Sequence, residues 1–349
     1  MKVVYYPSGE GEAERGVSAG AGTGAEPSFV AEVARRGTVV TIGAFDGVHI
    51  GHRSLIDRAR ATAHEIGALS AVVTFDRHPA SVVRPDSAPL LLTNLDYKLS
   101  LLEAAGVDLV LVLHFDARRA AEPAADFVAE VLVGYLHARA VVVGHDFHFG
   151  RNREGDVPLL QRVGARMGFD VTGIRLVRSG APGETVAEGP EWELPAVSST
   201  RIRRLVAEGD VSGAAALLGR WHRLAGVVGH GDKRGRELGF PTANLEVSRE
   251  MQICGDGVYA GWYLRPDGTR HQTAVSVGRQ PTFYSERAFS LVEAHLLDFQ
   301  GDLYDEVGTV DLVARLRGQE KFGSVEALID QMVSDVAHTR RALAGVGRR

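Results

Sequence analysis

Between residues 38 and 177 the chain alternates short β-branched runs with stretches of helical periodicity, and this alternation constrains its fold more than any other feature. Apolar runs at 39–42, 69–74, 109–113, 140–143 and 171–177 are strand-sized. Helical patterns over 54–66, 94–105, 123–136 and 157–167 lie between them. Such an order predicts parallel βαβ units, hence an α/β fold with a doubly wound sheet and a ligand at the carboxyl ends of its strands. A first strand at 2–6 precedes it, and residues 7–27, rich in Gly, Ala, Glu and Ser, read as loop or disorder.

Near Trp221 the pattern changes. Short β-like runs at 223–228, 257–264, 271–277, 290–297 and 309–316 are punctuated by turn signals such as Pro266-Asp267-Gly268. They predict an antiparallel barrel or sandwich. A C-terminal helix is expected over 324–343, opening at a Ser324 cap with Glu326 behind it. The length of 349 residues also fits two domains, expected over 1–219 and 220–349.

Charge narrows the function. The chain carries a net charge of −5 with a pI near 6.2, which argues against broad nucleic-acid or anionic-membrane binding. At 45% hydrophobic residues it can build substantial cores. Its lone cysteine, Cys254, excludes an internal disulfide and fits a reducing compartment. With no apolar leader and no membrane-length apolar stretch, the cytoplasm is the expected location. The sequence specifies no oligomeric state.

Chemistry-bearing residues cluster where strands should end. The first cluster is Thr41-Ile-Gly-Ala-Phe-Asp-Gly-Val-His-Ile-Gly-His52. A β-branched run breaks at Gly43, and Gly47 and Gly51 bracket His49 and His52 just before a helix. A strand, glycine turn and helix start together offer backbone N–H groups and a positive dipole end to phosphate. No lysine follows the glycines, so this is not the P-loop pattern. The second cluster is Thr74-Phe75-Asp76-Arg77-His78-Pro79, and the third is Val143-Gly144-His145-Asp146-Phe147-His148-Phe149-Gly150. The fourth, Ser198-Ser199-Thr200-Arg201-Ile202-Arg203, opens a helix and offers hydroxyl and guanidinium donors to an anion. The alternatives are plain: the histidines could be metal ligands, Ser198 to Thr200 a helix cap, and Asp146 a turn residue.

The second half holds Gly226-Val-Val-Gly-His-Gly-Asp-Lys-Arg-Gly-Arg-Glu-Leu-Gly-Phe-Pro-Thr-Ala-Asn244. Gly229, Gly231 and Gly235 let a loop wrap a phosphate chain, and Lys233, Arg234 and Arg236 supply charge. Thr242 and Asn244 are alternate residues, so in an extended segment their oxygens share one side, as a Mg²⁺ held with ATP phosphates would need. Glu293 lies in an otherwise apolar β-run, an awkward place for an unpaired carboxylate unless it faces solvent.

Taken together, the first-half motifs resemble the nucleotidylyltransferase superfamily. Gly-x-Phe-Asp-Gly-Val-His-x-Gly-His with Thr-Phe-x-x-His-Pro, Asp-Phe-x-Phe-Gly and Ser-Ser-Thr-x-Ile-Arg resembles the FMN adenylyltransferase module of prokaryotic FAD synthetases. The second half resembles riboflavin kinases through Gly-x-Pro-Thr-Ala-Asn, Gly257-Val258-Tyr259-Ala260-Gly261, Pro281-Thr282-Phe283 and Val292-Glu293-Ala294-His295-Leu296-Leu297. The resemblance spans about residues 38–340 and implies a bifunctional riboflavin kinase/FAD synthetase whose substrates and products are riboflavin, ATP, FMN and FAD.

It also implies roles. His49 and His52 would stabilise ATP phosphates, with Ser199, Thr200 and Arg201 on the β/γ side and Gly43, Phe45, Asp46, Gly51 and Ser198 around the nucleotide. Asp76, His78, Pro79, Asp146 and Phe147 would lie at the flavin. In the kinase half, Gly229, Gly231, Lys233, Gly235 and Arg236 would hold ATP, Thr242 and Asn244 the Mg²⁺, Arg317 and Phe322 the flavin, and Glu293 would be the base. Four departures from the family pattern stand out: Asp305 where glycine is common, Arg77 where proline is frequent, Arg279-Gln280 before Pro281, and a long stretch at 181–195. Two rival expectations are an enzyme with one active and one vestigial half, and a flavin-sensing protein using the same pockets without turnover.

Overall fold

The computed structural model describes residues 1–6, 27–175, 177, 195–230, 240–278 and 289–346. The predicted loop at 7–27 falls outside them but for Pro27, as do 181–194, Arg279, Gln280 and Pro281-Thr282-Phe283. Packing divides the chain into two compact units, Met1–Pro89 with Asn94–Val177 and Leu90–Thr93 with Arg178–Arg349.

The first unit follows the predicted alternation. It runs β1 (Lys2–Tyr5), α1 (Pro27–Arg36), β2 (Thr38–Ile42), α2 (Ile50–Ile66), β3 (Leu69–Phe75), α3 (Ala80–Val83), α4 (Leu95–Ala104) and β4 (Leu109–Leu113). It continues with α5 (Ala117–Ala120), α6 (Ala124–Phe127), β5 (Ala138–Gly144), α7 (Val157–Met167) and β6 (Asp170–Ile174). The strands form one six-stranded sheet in the order β1-β4-β3-β2-β5-β6. All its pairings are parallel. From β2 the chain builds outward through β3 to β4 on one side, then returns to place β5 on the other. The crevice of a doubly wound sheet opens at such a reversal, here outside the carboxyl ends of β2 and β5.

Every residue of β2 and β4 is buried, as expected of strands covered on both faces. Val40, Ile42, Ala71, Val73, Leu111 and Val143 pack on one side with Val131, Leu132 and Leu160. Their neighbours Val72, Val110 and Val112 pack on the other with Ile56 and Leu102.

Three local features depart from the expected pattern. The helix α1, Pro27–Arg36, lies in a stretch to which the sequence reading assigns no element. The helix expected over 123–136 is a short α-helix that runs into a π-helical stretch, Val128–Tyr135, ending with the Leu136 N–H on the Val131 carbonyl at 3.0 Å. The wider turn puts Val128, Val131 and Leu132 together in the core, which a 3.6-residue pitch reads as continuous helix. The sixth strand stops at Ile174, three residues before the predicted end.

The second unit contains α8 (Ser199–Glu208), α9 (Val211–Leu218) and strands β7 (His222–Gly229), β8 (Ala243–Ser248) and β9 (Gly257–Leu264). Strands β10 (Arg270–Val277), β11 (Phe289–Leu296) and β12 (Val307–Arg317) and helix α10 (Val325–Ala344) complete it. The six strands close an antiparallel barrel in the order β10-β11-β8-β7-β12-β9, so of the two expected forms it is the barrel. The Ser324 hydroxyl caps α10 by accepting the Ala327 N–H at 3.2 Å.

Helices α8 and α9 pack on each other and α9 on β7 and β12, which groups both with the barrel. The short segment Leu90–Thr93 joins them. The Leu91 N–H donates to the Glu250 carbonyl and its own carbonyl accepts the Gln252 N–H, both at 2.7 Å.

Asp305, one of the departures from the family pattern, adopts φ +64°, the left-handed region that glycine enters without cost. The turn is kept at the expense of a strained aspartate. Asp305→Gly is therefore expected to raise the stability of the second unit by about 0.5–1 kcal/mol, read as a higher thermal or denaturant midpoint.

Cys254 is 3% exposed, and burial pushes its thiol up to about 12. The native protein should resist a thiol-specific reagent at pH 8 and release one equivalent on unfolding in guanidinium, as its single cysteine requires.

Candidate active sites

The turn after β2 is shaped by two apolar plugs. Phe45 and Val48 are each 1% exposed and pack against Ile56, Val72 and Leu102. Yet Phe45 adopts φ +49° and Val48 φ +36°, with Gly47 between them at +84°. Left-handed backbone is costly for a β-branched residue, about 1–3 kcal/mol, and persists only where the surroundings impose it. Here the burial of both side chains is one such constraint. Successive backbone N–H groups in a turn of this kind can face a common concavity suited to anions.

Helix α2 starts at Ile50, four residues before the predicted start, because His49 is its N-cap. The His49 Nδ1 accepts the His52 N–H at 3.2 Å. That fixes the tautomer, since a ring nitrogen that accepts carries no hydrogen and Nε2 must be the donor. The His49 and His52 rings stack at 3.6 Å between centroids, and the Phe45 edge lies 5.1 Å from His52. Gly43 continues the sheet by donating to the Val73 carbonyl at 3.0 Å, Asp46 is buried, and Gly51 stands in the first turn of α2.

Beyond β3, Asp76 accepts from His114 Nδ1 at 2.7 Å and from the Phe115 N–H at 3.1 Å. His78 turns its Nδ1 to the Ala80 N–H at 3.1 Å, with Pro79 at the start of α3. Beyond β5, the exposed Asp146 offers its carbonyl to His148 Nδ1 at 2.8 Å. Phe147 stacks on Phe149 at 5.4 Å, which in turn contacts Phe127. The first three clusters therefore sit at the carboxyl ends of β2, β3 and β5, adjacent strands of one sheet. The fourth belongs to the second unit. There Ser198 caps α8, accepting the Arg201 N–H at 3.3 Å, and the buried Arg201 donates to the Pro195 carbonyl at 3.2 Å. Ser199 and Thr200 form the first turn of that helix.

Two residues that the motifs did not single out stand at the sheet end. One is His114, at the carboxyl end of β4. The other is Lys98 of α4, whose ammonium donates to the Phe75 carbonyl at 2.8 Å, the Thr74 hydroxyl at 3.1 Å and the Ala44 carbonyl at 3.3 Å. Burial lowers its pKa to about 8, against the pull of Asp46 and Asp76. The signal was a lysine in the stripe Leu95, Lys98, Leu102, a polar intrusion at helical spacing.

In the barrel, register brings the kinase-half residues into one row. Ser276 pairs with Glu293, Glu293 with Asn244, and Asn244 with Gly229. Directly paired residues point to the same face. Thr242, Asn244 and Glu246 alternate with the buried Ala243, Leu245 and Val247, so the row faces away from the apolar interior. Thr242 and Asn244 line a cavity of about 460 Å³ together with Leu296, Phe299, Asp302 and Tyr304. The turn before β8 is anchored by His295, which donates from Nδ1 to the Pro241 carbonyl at 2.9 Å. Arg317 is engaged by Asp335 of α10, through Nη2 at 2.7 Å and Nε at 3.0 Å, and its guanidinium lies 5.7 Å from the Phe322 ring. Gly231, Lys233, Gly235 and Arg236 lie outside the described residues.

A FAD synthetase family model matches residues 31–183, and a riboflavin kinase model matches residues 218–343. The bifunctional riboflavin kinase/FMN adenylyltransferase of Pseudomonas fluorescens is 39% identical over 314 residues, 90% of this chain and 96% of that protein. The chain belongs to the bifunctional riboflavin kinase/FMN adenylyltransferase family.

The counterpart from Escherichia coli K12 is 36% identical across 88% of this chain and 93% of its own. A solved structure described as a macrolide-efflux protein from Streptococcus pneumoniae is 30% identical with a TM-score of 0.76, covering 87% of this chain and 94% of that one. Among the described residues no helix is long and apolar enough to cross a membrane. The FAD synthetase match covers the parallel sheet from β2 to β6, and the riboflavin kinase match covers the barrel. Ser198 to Arg201 fall between the two matches.

The glycine of Asp-Phe-x-Phe-Gly has a steric reason in this member of the family. Gly150 adopts φ +73°, and an added Cβ would lie 2.7 Å from the Ala124 Cα. Gly150→Ala should cost at least about 1–2 kcal/mol from the left-handed backbone alone, measured by denaturant unfolding.

Proposed function

We propose that the barrel domain phosphorylates riboflavin to FMN with ATP and that the parallel-sheet domain transfers AMP from a second ATP to FMN, giving FAD. The cross-strand row of Gly229, Asn244 and Glu293 beside the 460 Å³ cavity is the observation that carries the kinase half of this proposal. The volume suits a small ligand or part of one. The Glu293 carboxylate accepts the proton of the riboflavin 5′-hydroxyl as that oxygen bonds to the γ-phosphorus and ADP leaves. Thr242 and Asn244 fit Mg²⁺ as hard oxygens on alternate residues lining the cavity, and the ion would be shared with ATP phosphates. Bound there, it would neutralise charge on those oxygens. Gly231, Lys233, Gly235 and Arg236 would wrap and neutralise the phosphate chain, while Arg317 and Phe322 would face the flavin.

In the adenylyltransferase domain an FMN phosphate oxygen attacks the α-phosphorus of ATP, and the bond to pyrophosphate breaks. No covalent enzyme intermediate is needed, so positioning and charge stabilisation carry the rate. The left-handed turn at Phe45 and Val48 and the fixed Nε2–H donor of His49 support this assignment. His52, Gly43, Asp46 and Gly51 complete the phosphate side, with Ser198, Ser199, Thr200 and Arg201 assigned to the β/γ-phosphates. Asp76, His78, Pro79, Asp146 and Phe147 are assigned to the flavin. Riboflavin, FMN and ATP are the partners, with no nucleic acid or membrane among them, and the cytoplasm is the proposed location.

Purified chain given riboflavin and MgATP should form FMN and then FAD, resolved by chromatography. A protein that binds flavin without turnover would form neither. Glu293→Gln should lower FMN formation by about 10²–10⁴-fold and leave FMN-to-FAD conversion intact. His49→Ala combined with His52→Ala should do the reverse. If either change silenced both activities in a folded protein, the assignment to two sites would fail.

A further inference from the structure

We propose that Lys98 is a positioning residue for the adenylyl-transfer step, holding the turn after β2 in the left-handed form that receives phosphate. The proposal rests on the FMN adenylyltransferase assignment of this domain. Lys98 is 7% exposed, and its ammonium reaches two neighbouring strand ends at once. It donates to the Ala44 carbonyl in the turn after β2, and to the Thr74 hydroxyl and Phe75 carbonyl at the end of β3. The Thr74 hydroxyl also donates to the Ala44 carbonyl, at 3.2 Å. An ammonium has three donors, and three acceptors surround this one.

The geometry at Ala44 makes this tether more than a support. A trans peptide holds its C=O and N–H on opposite sides of one plane. Fixing the Ala44 carbonyl toward Lys98 therefore directs the Phe45 N–H the other way, away from the buried amine. Phe45 is the first of three left-handed residues, so this peptide plane sets the start of the concave run that ends at the His49 cap. Two forces hold the turn from beneath, the apolar burial of Phe45 and Val48 and the polar anchoring of Ala44. Apolar burial alone is non-directional and leaves the peptide plane free to rotate. Asp46, buried in the same turn, and Asp76 supply the negative charge that lets an ammonium persist there.

The second activity of the same chain provides an internal control, because the kinase residues lie in the other compact unit. Lys98→Met keeps the length and apolar stem but removes every donor. It should lower kcat for FMN-to-FAD conversion by about 10²-fold, with the KM for FMN changed less than about threefold, as misplaced groups affect the transition state most. Riboflavin phosphorylation by the same sample should be unchanged. Hydrogen exchange of a peptide spanning residues 41–52 should accelerate, while peptides from β4 and α7 keep their protection. Lys98→Gln, which retains a single amide donor pair, should fall between Met and lysine, and it carries the test if Lys98→Met unfolds the domain.

Loss of kcat only in proportion to an unfolded fraction would overturn the proposal, as would full kcat in a folded Lys98→Gln protein. An unmodified chain that makes FMN but no FAD would instead refute the adenylyltransferase assignment itself, whatever Lys98 does.

Discussion

The parallel pairing of β2 with β3 on one edge and β5 on the other is the constraint on which the first unit depends. It makes β2 the strand at which the chain reverses its direction of build. The turn that leaves it must bridge from a strand buried on both faces to a helix lying over one of them. The chain solves this with buried Phe45 and Val48, at the cost of left-handed backbone, and closes the turn with a histidine cap. The strain lies in the turn to which the phosphate chemistry is assigned. Were β5 to pair elsewhere, the Asp146 and Phe147 segment would no longer open beside His49, and the crevice would lose one wall.

The barrel reaches a similar end by another route. Its polar row is produced by cross-strand register alone, because residues opposite one another on three successive strands share a face. A one-residue slip of β11 against β8 would turn Glu293 into the apolar interior and present Val292 or Ala294 in its place. The closed barrel resists such a slip, since every strand is bonded on both sides. The ion pairs Arg223–Asp311 and Arg317–Asp335 add anchoring points at β7, β12 and α10.

Much of this fold is legible in the sequence. The apolar runs of β2 to β5 and the clean period of α7 follow directly from residue order, and so do the strand ends where glycine and polar residues gather. The start of α2 was harder, because an imidazole cap does not look like the usual Ser, Thr or Asp. The π-helical stretch at Val128–Tyr135 escaped because its apolar residues satisfy a helical period almost as well with the wrong pitch. The bond from Asp76 to His114 joins residues 38 apart, which no local spacing could announce. Lys98 was visible as an oddity on an apolar stripe, but its meaning needed the carbonyls that β2 and β3 bring to it. The grouping of α8 with the barrel depends on packing against α9 and is silent in the motif that opens it.

The small segment Leu90–Thr93 bears on how the gene can be divided. It sits in the sequence between two elements of the parallel-sheet unit, yet its backbone bonds with Glu250 and Gln252 and groups with the other unit, and Leu92 and Thr93 are buried. A fragment cut at residue 220 would therefore leave behind a four-residue staple as well as α8 and α9. The barrel is continuous as a family signature but discontinuous as a folded body. Its integrity draws on chain that is synthesised well before its own first strand.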